Sequence, residues 1–172
     1  MTSIFETKLL KVGTRQVLRL PMDQSEKLPS RGLVMVQGTI NDVPFKQPLE
    51  PDGKRSHWLE VSPSLSEAAG ISVGDTVSLN IESIKDWIEP DIAEDILQGL
   101  ADGGVMDQWN AINAKSRWEW LRWIRSTLNP ETRSKRIKVA ASKLENGAKT
   151  PCCFDTARCT VPDVSKSGVL ID

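Results

Sequence analysis

The stretch Val17-Leu18-Arg19-Leu20-Pro21, followed by Ser25-Glu26, returns 41 residues later as Trp58-Leu59-Glu60-Val61, followed by Ser66-Glu67. After a two-residue gap, Val34 and Val36 match Val77 and Leu79. Each copy reads as strand, short helix, tight turn, strand, so duplication is the first inference about the fold. Further period-two or β-branched runs surround these copies. Together they predict strands at Ile4–Leu10, Gln16–Leu20, Leu33–Ile40, Val43–Leu49, Ser56–Val61 and Thr76–Ile84. Asn41-Asp42 and Pro51-Asp52-Gly53 supply turns between them. Ser62, Pro63 and Gly70 are placed to cap, open and end a short helix. Short strands at this spacing predict a small barrel with pseudo-twofold symmetry.

The second half changes period. A helix is predicted from Pro90 with Ile92, Ile96, Leu97 and Leu100 on one side, ending at Gly103-Gly104. A short segment at Val105–Ile112 follows. The next helix, Ala114–Leu128, has an expected apolar stripe of Trp118, Leu121, Ile124 and Leu128, with Trp120 at its edge and Trp123 pointing away. Asn129 caps the last helix, Pro130 opens it and Gly147 closes it; its predicted inner face is Ile137, Ala140, Ala141 and Leu144. The fold class is therefore α+β, divided at 1–85 (barrel), 86–149 (helical domain) and 150–172 (a tail holding all three cysteines).

Two family resemblances follow from particular residues. Val34-Met35-Val36-Gln37-Gly38-Thr39-Ile40-Asn41-Asp42-Val43-Pro44-Phe45, with Ala69-Gly70-Ile71-Ser72-Val73-Gly74-Asp75-Thr76-Val77, resembles the uncharacterised barrel domain that commonly precedes a YdeI/OmpD-associated domain in bacterial proteins. The second of these segments is also similar to the helix-to-strand turn of AbrB-like transition regulators. That likeness implies a double-split β-barrel, with both halves supplied here by one chain. In the second half, Trp118-Glu119-Trp120-Leu121-Arg122-Trp123-Ile124, then Pro130-Glu131-Thr132-Arg133-Ser134-Lys135-Arg136-Ile137 and Gly147, resemble the YdeI/OmpD-associated, or bacteriocin-protection, domain. Thr127-Leu128 depart from the family there, where Lys is common.

Charge is more informative by segment than in total. The 172 residues carry a formal net charge of −1, with 39% hydrophobic and 26% charged side chains, the composition of a globular chain. Residues 86–113 contain seven acidic and no basic side chains, whereas residues 114–149 sum to +7. Arg133 falls by helical angle within the apolar face of the last helix. An unpaired guanidinium there would be costly, so a structural ion pair with Glu94 or Asp95 is expected; anion binding is the other reading. Trp123, Arg122, Arg125 and Arg136 form a candidate interaction surface, because Arg interleaved with exposed Trp suits a phosphate-backbone platform. A solvated basic face explains the same residues.

Chemistry-bearing motifs are scarce. No phosphate-binding glycine loop and no H-E-x-x-H occurs, and the single His57 sits beside Trp58 on a strand, so neither an enzyme nor a cofactor is expected. Cys152, Cys153 and Cys159 are weak candidates for zinc, since tetrahedral sites prefer four ligands at other spacings. The odd thiol count and the absence of a signal-like or membrane-spanning run predict a cytoplasmic protein. Its expected role is interaction or stress protection, as a monomer or weak dimer with a protein partner. Nucleic-acid binding through an AbrB-like barrel and basic helices is the alternative.

Overall fold

A computed structural model describes residues 2–151 and 154–171. They form two compact units, one of Met1–Asp86 with Thr156–Cys159 and Val164–Asp172, the other of Trp87–Asp155 with Thr160–Asp163. Residues after 155 are thus shared between the units.

The first unit contains strands β1 (Thr2–Val12), β2 (Arg15–Arg19), β3 (Val34–Ile40), β4 (Val43–Pro51), β5 (His57–Val61) and β6 (Thr76–Ser83). Short helices α1 (Met22–Ser25) and α2 (Pro63–Ala69) interrupt them. The strands close into a barrel in the order β1-β2-β5-β4-β3-β6, every pairing antiparallel. Closure removes the unpaired edges that would otherwise template aggregation.

Strand register carries the duplication into three dimensions. Leu18 lies opposite Leu59, its own counterpart at the 41-residue offset, and Gly38 lies opposite Ile81, which continues the Val36–Leu79 match. Counterparts in an antiparallel pair face each other only where a twofold axis passes. The barrel therefore has its pseudo-dyad between β2 and β5 on one side and between β3 and β6 on the other.

Leu9, Leu18, Leu49, Leu59 and Leu79 fill the barrel interior and are essentially inaccessible. Val17 and Trp58, on the opposite faces of β2 and β5, are equally buried, so those two strands are covered on both sides. Local chemistry fixes the connections. Asn41 and Asp42 both adopt positive φ, as a two-residue hairpin between β3 and β4 requires. Ser62 accepts the Leu65 amide at 3.2 Å, Pro63 opens α2, and Gly70 leaves it at φ 65°.

The Pro51-Asp52-Gly53 turn also anchors the end of the chain. The Asp52 carboxylate accepts the amides of Lys54 (2.7 Å) and Ser56 (3.0 Å), and its carbonyl accepts the Leu170 amide at 2.8 Å. Leu170 belongs to a small hairpin of β7 (Ser165–Lys166) and β8 (Val169–Leu170). Gly53 lets that hairpin approach, because a Cβ there would collide with the Gly168 carbonyl.

The second unit holds α3 (Glu94–Asp102), α4 (Met106–Ala111), α5 (Ala114–Arg125) and α6 (Pro130–Glu145). Helix α3 starts four residues later than its sequence pattern suggests. Pro90 lies ahead of it in irregular chain, and Ala93 occupies the cap position. Asn113 caps α5 through the Ser116 amide, and Asn129 caps α6 through the amides of Glu131 and Thr132. The buried set on α6 is Ile137, Ala140, Ala141 and Leu144.

Helix α5 departs from the predicted stripe. Trp120 is buried along with Leu121 and Ile124, Trp118 is only half-buried, and α5 stops at Arg125, leaving Leu128 73% exposed. The cause is the segment before α3. Trp87 lies beneath Lys115 Nζ at 5.9 Å, the Ile88 carbonyl accepts Trp118 Nε1 at 2.8 Å, and Glu89 holds Arg117 at 2.6 and 3.0 Å. Three successive residues thus strap the Trp118 side of α5, while Trp120 turns into the core and donates Nε1 to the Lys149 carbonyl at 3.0 Å.

Candidate functional site

The geometry of the helical unit is decided by small residues where α3 meets α6. Asp95, Gly99 and Gly103 follow at intervals of four and meet Arg133, Ile137 and Ala141, which are also four apart. Equal stepping along one row of each helix means that α3 and α6 run in the same direction. Backbone approach is close: a Cβ on Gly99 would collide with Ile137 Cγ2, and one on Gly103 would stand 2.7 Å from the Ala141 methyl.

One turn before Gly99, Arg133 grips Asp95 in a bidentate pair, Nε to Oδ2 at 2.7 Å and Nη2 to Oδ1 at 2.9 Å. The hydrogen bonds from Arg133 hold the Asp95 carboxyl below its ordinary range, and the same pair raises the guanidinium. Arg133 is only half-buried, so the ion pair sits at the margin of the apolar face and not in its middle. Glu94, the other expected partner, is exposed at the first turn of α3.

Between the two helices lies an open groove of about 760 Å³, within the roughly 300–1,000 Å³ typical of ligand-sized clefts. Buried Ile137 and Ala141 form its floor beside Gly99 and Gly103; exposed Asp102, Lys138 and Glu145 stand on its rim. In the sequence pattern Gly103 reads only as a helix stop. The readable signal was the Gly99-x-x-x-Gly103 spacing one turn after Asp95.

The candidate surface of Trp123, Arg122, Arg125 and Arg136 is turned largely inward. Arg122 has no exposed surface; it bonds both oxygens of buried Glu119 at 3.1 and 3.2 Å and lies 5.5 Å from the Phe154 ring centroid. Trp123 is half-buried and meets Trp120 edge-on at 5.9 Å. Arg136 lies over the Trp123 ring at 5.5 Å and donates to the Trp123 carbonyl (2.9 Å) and Ser126 Oγ (2.7 Å), closing the C-terminal end of α5. Arg125 donates to Thr160 Oγ1 at 3.3 Å. These contacts correct the expectation of an open Trp/Arg platform: Arg122 is core, and the other three bind the chain's own groups.

In the barrel, His57 is fully buried, with Nδ1 2.7 Å from Ser25 Oγ and Nε2 2.8 Å from the Gly32 carbonyl. The carbonyl can only accept, so Nε2 carries a proton; in the neutral ring Nδ1 then accepts from the Ser25 hydroxyl. Arg31 spans the same loop, donating to the Ser25, Leu28 and Arg55 carbonyls. Cys159 is buried in the barrel unit; Cys152 and Cys153 lie outside the described residues. Among the described residues no group of three or more His, Cys, Asp or Glu is placed to hold a metal ion.

Residues 5–81 match the family described as Domain of unknown function (DUF1905), and residues 89–147 match Bacteriocin-protection, YdeI or OmpD-Associated. The second half of the chain is thus similar to the YdeI/OmpD-associated family. No curated protein matches the chain. This second match takes in the Glu89 strap, the α3–α6 groove and the Arg122–Glu119 pair. Among the described residues no helix is long and apolar enough to cross a membrane.

Proposed function

We propose that this chain is a non-enzymatic, cytoplasmic interaction protein of the protection class, and that it works by holding a polypeptide on the α3–α6 face of its helical unit. The groove between those helices carries the reading, because it joins an apolar floor to a charged rim as a docking surface does. The family description, bacteriocin protection, supports the role. The odd set of three cysteines fits a reducing compartment. The Arg side chains that favoured nucleic acid are bound within the chain, so that alternative has no remaining support.

The test fills the groove without touching the core. Ser142 is exposed on α6 and lines the groove, so Ser142→Trp blocks it while leaving the buried face intact. Cells producing this variant should lose protection against a bacteriocin, whereas Glu6→Trp on the exposed barrel surface should not. Undiminished protection by a folded Ser142→Trp chain would overturn the proposal.

A further inference from the structure

We infer that the α3–α6 groove is the interface of a homodimer, with Lys138 of each copy laid in the groove of the other. This rests on reading that face as a polypeptide-docking surface and names its occupant. The argument is charge complementarity along the groove. Asp95 and Arg133 neutralise each other at its N-terminal end. Lys138 stands mid-groove, and Asp102 and Glu145 stand at the C-terminal end; all three are exposed, and none has an ion-pair partner among the described residues. Because α3 and α6 run in the same direction, both helix C-termini add their negative ends to the Asp102 and Glu145 side.

A twofold axis makes this pattern self-complementary. An isologous contact sets the same patch of two copies antiparallel. With the axis near residue 140, Lys138 of one copy falls opposite Ser142 of the other, between that copy's Asp102 and Glu145. The exposed row Ser134-Lys138-Ser142 steps by four along α6 and forms a ridge with short side chains on either side of the lysine. The lysine stem can lie on the apolar floor while its ammonium reaches the carboxylates.

The dimensions imply weak association. Helix α6 has 16 residues, about 24 Å of length, and a face two helices wide spans about 20 Å. Two such faces bury roughly 1,000 Å², the low end for specific contacts.

Sedimentation of the purified full-length chain from about 1 µM to 1 mM should show its mass rising from one chain towards two. Lys138→Glu alone, and Asp102→Lys with Glu145→Lys, should each stay monomeric, because every cross-pair becomes like-charged. Mixing the two variants should restore a one-to-one dimer, since both sets of pairs are then opposite. Circular dichroism checks that each variant is folded. A wild-type chain monomeric throughout, a dimer indifferent to Lys138→Glu, or variants that fail to associate on mixing would each overturn the inference. If the wild type is monomeric while Ser142→Trp still abolishes protection, the docking face stands and a different polypeptide occupies it.

Discussion

Replacing Gly99 with Ala should destabilise the helical unit, although the same change in an ordinary helix interior stabilises by about 0.5–1 kcal/mol. The added methyl would fall within 3.0 Å of Ile137 Cγ2, a separation real Cβ atoms essentially never show. Relief by rotation is limited, because a β-branched side chain in a helix has one strongly preferred χ1. The remaining route is to separate α3 from α6, which loosens the Gly103–Ala141 contact one turn later and the Asp95–Arg133 pair one turn earlier. Overpacking of this kind costs about 1–3 kcal/mol, so after the propensity gain the net loss should be about 1 kcal/mol and at most about 2.5. In thermal unfolding followed by circular dichroism, each kcal/mol corresponds to a fall of roughly 4–8 °C for a unit of this size. Ile137→Ala removes the obstructing Cγ2. Gly99→Ala should therefore cost less in the Ile137→Ala background, with a coupling of about 1 kcal/mol or more in a double-mutant cycle. A Gly99→Ala chain that melts higher than wild type, with no coupling to position 137, would refute the close-packed parallel alignment of α3 and α6.

Three other outcomes follow from single sites. Arg133→Met should lower stability by only about 0.5–1 kcal/mol, since both side chains are partly exposed and the pair is screened by salt. Its pH dependence has a definite sign. The Asp95 carboxyl titrates below its ordinary value of 3.8 when folded, so the pair's contribution is present above that value and disappears as pH falls through the lower folded one. A wild-type advantage that does not shrink as pH falls below 3.8 in melting experiments would contradict it. Glu119→Ala takes one carboxylate from buried Arg122 and should cost about 1–3 kcal/mol, and a double-mutant cycle with Arg122→Met should show the two sites coupled; strictly additive losses would refute the buried pair. His57→Leu takes the ring from the Gly32 carbonyl and from Ser25 Oγ, which keeps Arg31 Nη1 at 3.2 Å, and should cost about 1–3 kcal/mol; denaturant midpoints of barrel unfolding should register it.

The barrel was legible because its signals are local. Alternation of side chains, the Asn41-Asp42 turn, the Ser62 cap and the 41-residue repeat each depend on a few neighbouring residues, and all agree. The helical unit was legible where one helix faces one neighbour, as in α6. On α5 the periodicity alone misplaced Trp118, Trp120 and Leu128, because residues 87–89 cover one side of the helix while the core covers another. The same limit affected the basic residues. Helical angle put Arg133 inside and the candidate Trp/Arg surface put Arg122 outside, whereas Arg133 lies at the groove margin and Arg122 in the interior.

By itself the sequence determined that this chain would make a duplicated barrel followed by helices, and that an acidic block would precede a basic one. Periodicity, caps and repeats are properties of neighbours along the chain, and they survive without knowledge of the packing. Tertiary structure alone decided which charges met. Asp95 and Arg133 come together because Gly99 and Gly103 let two parallel helices touch, and Glu119 can hold Arg122 only because both are enclosed. It also decided what was left over: a groove whose Lys138, Asp102 and Glu145 have no ion-pair partner among the described residues. A linear sequence carries the charges, but their pairing depends on distances that only packing sets.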